Sequence, residues 1–221
     1  MASSYSTFPD YTDAERWADA VVHIVGLIAA PLAVVWLFAQ AGAAITPGRI
    51  VTGTIYAAGL IGMVTASALY NLVRAGRLKS ILRRLDHAMI FVMIAGTYTP
   101  LSLTALSPEL GIPLCAVVWT LAAIGIALKI FRKDPHERLS MILYLAMGWL
   151  LVPLLPPLIT ALPHGVMILI VAGGLVYSAG SFIHTRISWP FHNAVWHAMV
   201  IVAAGLHMAA IAQVIALPLD K

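Results

Sequence analysis

The sequence predicts an all-α protein, a single bundle of seven transmembrane helices with its N-terminus in the cytoplasm and its C-terminus outside. Three observations predict it. Of the 221 residues 61 % are hydrophobic and only 10 % charged, where a soluble domain carries about half and a quarter, and the mean hydropathy is +0.93. The apolar residues fall into seven runs of roughly 18 to 25, the length a helix needs to cross the hydrocarbon of a bilayer. The few ionisable residues inside those runs gather toward one side of the membrane.

Residues 1–17 form a short cytoplasmic segment and residues 18–221 one membrane domain, which leaves no room for a soluble catalytic domain. Met1 to Asp13 is polar, carries Asp10 and Asp13 and has no basic start, so it does not read as a cleaved signal peptide. The first span is expected over Ala18–Gln40. Thr46-Pro47-Gly48 turns the chain into the second, Ile50–Val73. A basic loop, Arg74 to Arg84, leads to the third, Leu85–Leu106, which opens on Asp86 and His87. Ser107-Pro108 precedes the fourth, Gly111–Phe131, which holds the sole cysteine, Cys115, so an intrachain disulfide is ruled out. Asp134-Pro135 separates it from the fifth, Leu139–Leu158, which Pro153 and Pro156-Pro157 are expected to kink or end. Leu162-Pro163 leads to the sixth, Gly165–His184, whose Gly173-Gly174 and Gly180 permit close helix approach. Trp189-Pro190 leads to the seventh, Phe191–Leu217. Joints this short force sequential spans to run antiparallel.

Lys and Arg set the orientation. Eleven of the thirteen fall on the side of the N-terminus, leaving only Arg49 and Lys221 opposite, so that side is cytoplasmic. The formal charge of +4 is spread over span ends in this way, which argues against nucleic acid as a partner.

On this topology the polar residues converge in the cytoplasmic third of the bundle. Asp19 and His23 lie early in the first span, Ser67, Tyr70 and Asn71 late in the second, Asp86 and His87 at the head of the third, and His192, Asn193 and His197 at the head of the seventh. Glu15, Asp19 and His23 are spaced i, i+4, i+8 and share a helix face, as do Ser67 with Asn71 and Asn193 with His197. His207 lies deeper and reads as an interhelical hydrogen-bonding residue, His184 as a helix cap, and His136 and His164 as loop residues.

The sixteen residues from Leu85 to Pro100, with Asp86-His87-Ala88 at their head and Gly96-Thr97-Tyr98-Thr99-Pro100 at their end, closely resemble the third-helix signature of hemolysin III proteins. These are the bacterial branch of the progestin and adipoQ receptor family. Glu15, Asp19 and His23, Ser67-Ala68-Leu69-Tyr70, Met147-Gly148-Trp149, Gly173-Gly174 and Val195-Trp196-His197 extend the resemblance over nearly the full chain. It implies seven helices with the N-terminus inside, in a bacterial plasma membrane, and a zinc site made by S-x-x-x-H late in helix two, an Asp opening helix three and H-x-x-x-H on helix seven. Three imidazoles with water in the fourth position make a hydrolytic zinc site. In that pattern Asp86 and Ser67 are the candidate catalytic residues.

The chain departs from the pattern at two positions. Asn71 and Asn193 stand where the pattern has His, so His197 alone remains of the three expected ligands. A neutral carboxamide is a poor zinc ligand beside an imidazole. Two arrangements remain open: a hydrogen-bonded polar layer of Asn71, Asn193, Ser67, Asp86 and His197, or a mixed metal site drawing on Asp86, His197, His23, Asp19 or His192. No cofactor is expected at full occupancy, and zinc stays an option. The partner expected is membrane lipid, with a lipid or fatty acid as ligand. The function expected is lipid-responsive regulation of membrane homeostasis from a polar cavity near the cytoplasmic leaflet; the alternatives are zinc-dependent lipid amide hydrolysis and pore formation or cytolysis.

Overall fold

The computed structural model of the protein describes residues 11–73, 76–131 and 137–218. Residues 1–10, Arg74, the 132–136 stretch with Asp134-Pro135 and His136, and Lys221 lie outside them, so the expectations placed there are not addressed by the structure. The described residues are helical, with no strand, and seven stretches among them are long and apolar enough to cross a membrane.

Helix α1 (Asp13–Ala41) starts at Thr12, whose hydroxyl accepts the Glu15 N–H at 3.3 Å while the Glu15 carboxylate accepts the Thr12 N–H at 2.9 Å. This reciprocal cap satisfies amides that a helix start otherwise leaves bare. Helix α2 (Pro47–Leu72) is capped by Thr46, with Pro47 where a missing N–H costs nothing. Helix α3 (Arg77–Pro100) runs on through a π turn, Leu101–Ala105. It begins eight residues before the expected Leu85, so most of the supposed basic loop is helix, and Asp86 and His87 lie more than two turns inside α3 instead of opening it. Hydropathy marks where a helix leaves the hydrocarbon; Arg, Lys and Leu are good helix formers and carry it further.

Helix α4 (Pro108–Phe131) follows. The fifth span is broken, as its prolines imply: α5 (Glu137–Gly148) ends, a 3-10 turn forms at Val152–Leu154, and α6 (Leu155–Ala161) completes the crossing. Helices α7 (His164–His184) and α8 (His192–Ile215) close the bundle.

Helix α8 is the central element. It packs on α7 and α1 and touches α2 and α3 as well, and Ala203, Ala210, Ile211 and Val214 along it are fully buried. Small residues bring α2 and α3 together: a Cβ added to Gly96 would lie 3.4 Å from the Ile55 carbonyl oxygen, in van der Waals contact, so the two backbones stand about as close as a methyl group allows. Trp17, Val21, Ile28, Leu32 and Val35 on α1 are exposed, an apolar face suited to lipid. At the end of the bundle away from the α1 N-terminus, Arg49 Nη1 donates to the carbonyls of Ala44, Ile215 and Leu217 at 2.9, 3.0 and 2.6 Å, which ties the start of α2 to the C-terminus of α8.

Candidate functional site

The i, i+4 stripe of α1 faces inward and meets α8 and α2. Asp19 and His23 are buried, 8 % and 4 % exposed, and so is His197 at 9 %. The His197 Nδ1–H donates to Asp19 Oδ1 at 2.6 Å. The His23 Nδ1–H donates to the main-chain carbonyl of Asp19 at 2.7 Å, and its Nε2 accepts from the Ser67 hydroxyl at 3.2 Å. One residue, Asp19, therefore fixes the tautomer of both imidazoles, through its side chain for one and its backbone for the other. The rings meet edge to face with centroids 4.4 Å apart.

The two amides stand beside this pair. Asn71 Nδ2 donates to the Ser67 carbonyl at 2.9 Å and lies 3.5 Å from His23 Nε2, while Asn193 Nδ2 lies 3.5 Å from Asn71 Oδ1. His197 pairs with Asp19 and not with an amide, because α1 brings a carboxylate within reach of its Nδ1.

A small cavity of about 50 Å³ opens beside the imidazoles. Its polar end is formed by His23, Ser67, Asp86 and His197, and its apolar end by Gly26, Met63, Val64, Ile90, Val200 and Ile201. Asp86 thus faces the bundle interior, its side chain 13 % exposed. Ligand atoms of Asp19, His23 and His197 lie within 4.8 Å of one another, so these three buried residues are the described group that can hold a metal ion. Two imidazoles and a carboxylate suit zinc and other first-row divalent ions.

The other candidates sit apart from this group. His87 turns away: its Nδ1–H donates to the Arg83 carbonyl at 2.7 Å and its own carbonyl accepts from Tyr144. Tyr70 lies under the Lys79 ammonium, 5.2 Å from its ring centre. His192 points to the Trp189 carbonyl at 3.0 Å, and His184 and His207 pack on Trp196 and Tyr177. His164 is exposed at the start of α7.

Two residues near the site carry no spacing signal. Phe191 precedes α8 with φ +58°, and its N–H donates to Glu15 Oε1 at 2.9 Å. Tyr11, ahead of α1, packs its ring 5.7 Å from His192; burial first, then the neighbouring Tyr70, Asp19 and Glu15, pushes its phenol up to about 12. Only the fold brings these loop residues beside the α1 stripe.

Fold and site together define a multi-pass integral membrane protein with a polar group of His and Asp buried near one end of a seven-helix bundle. The sequence of the Haemolysin-III related family matches residues 14–208, and the chain belongs to that family. It is 36 % identical over 191 residues to the hemolysin-3 homolog of Bacillus subtilis (strain 168), covering 86 % of this chain and 90 % of that protein. Hemolysin-3 of Bacillus cereus is 34 % identical over 85 % of each chain. The human monocyte to macrophage differentiation factor is 29 % identical over 73 % of this chain and 69 % of its own length.

Proposed function

We propose that the protein is a metal-dependent hydrolase of an amide or ester bond in membrane lipid, working from the cavity between α1, α2, α3 and α8. The observation that carries the proposal is the meeting of Asp19, His23 and His197, with both imidazoles lining a cavity whose one end is polar and whose other end is apolar. His23, supplied by α1, stands beside Ser67 and Asn71, so an imidazole is present in the region where Asn71 offers none. Asp19, His23 and His197 would hold the ion. When bound, such an ion polarises a carbonyl and acidifies water.

The chain's own groups supply the rest. Met63, Val64, Ile90 and Val200 form an apolar wall for the start of an acyl chain. In this reading the Asp86 carboxylate, which lines the cavity, takes the proton of the attacking water as the water oxygen joins the acyl carbon, and returns it to the amine or alcohol that leaves as the C–N or C–O bond breaks. The site belongs on the cytoplasmic side of a bacterial plasma membrane by the charge rule, which reporter fusions after α8 and before α3 would test.

The deciding experiment is metal analysis of the purified protein with fatty-acid release from lipid substrates. Near one zinc or equivalent ion per chain, lost in His23→Ala and His197→Ala together with acyl release, is the expected result. A folded, metal-free protein that cannot be loaded with zinc, cobalt or manganese would overturn it. One observation favours a second reading in that event: Asp19 with His197, and His23 with Ser67 and the two amides, already satisfy one another. That network suits a lipid-responsive protein of membrane homeostasis that binds its lipid without hydrolysing it.

A further inference from the structure

The third member of the α1 stripe, Glu15, lies one turn before Asp19 on the same face and makes a bond that neither its own helix nor the candidate metal group requires. Its Oε2 accepts the Thr12 N–H at 2.9 Å and the Thr12 hydroxyl at 2.8 Å, which closes the α1 cap. Its Oε1 accepts the N–H of Phe191, 176 residues away, at 2.9 Å. Phe191 is the residue at which α8 starts, and no side chain of α8's own segment caps that start. A carboxylate there meets the positive end of the helix dipole. Phe191 also holds a left-handed conformation, φ +58°, that a bulky residue adopts only when its surroundings enforce it.

Helices α1 and α8 are the first and last of an odd number of alternating spans, so they run parallel. They are joined at two successive levels by carboxylates of one helix face: Glu15 to the amide that opens α8, and one turn deeper Asp19 to His197. A slip of α8 by one residue moves His197 by about 1.5 Å along the axis, several times the roughly 0.5 Å tolerance of a ligand set.

We infer that Glu15 is a positioning residue: by capping α8 from α1 it fixes the register of His197 against Asp19 and His23, and so the geometry and affinity of the metal group. The inference rests on the metal reading above. Glu15 touches neither the cavity nor the candidate ligands and acts only through α8.

The test uses the full chain in detergent or nanodiscs, wild type against Glu15→Ala and Glu15→Gln, with Glu109→Ala as a control carboxylate at the start of α4. Cobalt(II) affinity, the cobalt d–d spectrum and the melting temperature of the metal-free protein are measured for each. In a Cys115→Ser background, spin labels at the exposed positions 17 and 195 report the α1–α8 distance without metal. Glu15→Ala should weaken cobalt binding about tenfold, shift the d–d bands and broaden the distance distribution. Glu15→Gln keeps an acceptor for the Phe191 N–H and should stay within about threefold. A Glu15→Ala protein with wild-type cobalt affinity and spectrum overturns the inference, whatever its melting temperature. If wild type binds no cobalt the metal reading fails separately, and the label distances alone decide the register claim: unchanged in Glu15→Ala overturns it, broadened supports it.

Discussion

Asp19 and His197 should show strong energetic coupling in the metal-free protein. They are 8 % and 9 % exposed and share one 2.6 Å bond across the α1–α8 seam. Asp19→Ala leaves the His197 Nδ1–H buried without its acceptor, while His197→Ala leaves a buried carboxylate without its donor. Stranding one partner of such a pair costs about 3–5 kcal/mol. The double variant strands neither and should cost less than the sum of the singles by about 2–3 kcal/mol. His23 keeps its bond to the Asp19 backbone carbonyl in all four proteins, so the cycle isolates one contact. For a chain of this size each single change should lower the melting temperature by roughly 6–20 °C, at about 2–4 °C per kcal/mol. The assay is thermal or denaturant unfolding in detergent with a chelator present, followed by circular dichroism. Additivity within about 0.5 kcal/mol would refute the claim that the pair is a direct, buried interaction.

Asp86→Ala should abolish acyl release, or lipid binding if no hydrolysis occurs, with little effect from Glu109→Ala at the start of α4; equal tolerance of both would remove Asp86 from the site. Arg49→Ala takes three carbonyls' donor away from the α2–α8 junction and should cost about 3 kcal/mol, read as a lower melting temperature with unchanged metal content; a loss under about 0.5 kcal/mol would mean that solvent replaces the guanidinium. Asn71→His with Asn193→His adds imidazoles beside His23 and His197, and should raise zinc affinity measured by competition with a chelating dye; unchanged or weaker binding would show that the added rings do not reach the ion.

The seven spans were legible because hydrocarbon thickness writes itself into run length, and each expected run has its helix. Helix ends were less legible. Arg77 to Arg84 read as loop because charge leaves the bilayer there, yet those residues continue α3, since helix propensity is indifferent to where the lipid stops. The shared face of Glu15, Asp19 and His23 followed from the 3.6-residue period, but the partners of that face did not. That Asp19 meets His197, and Glu15 the amide of Phe191, depends on α8 lying against α1, a contact between residues more than 170 positions apart that no local pattern encodes.

The exchange of His for Asn at positions 71 and 193 alters which seam the site depends on. In the pattern this chain resembles, the imidazoles come from the second and seventh spans. Here α1 supplies Asp19 and His23 and α8 supplies His197 to the group that can hold an ion among the described residues. Asn71 takes a supporting place, donating to the Ser67 carbonyl with its amide 3.5 Å from His23 Nε2. The integrity of the site then rests on the α1–α8 contact. Changes that loosen α1, a helix with Trp17, Val21 and Ile28 exposed on an apolar outer face, reach the ligand set directly, whereas changes in the α2–α3 contact reach it only through Ser67 and Asp86.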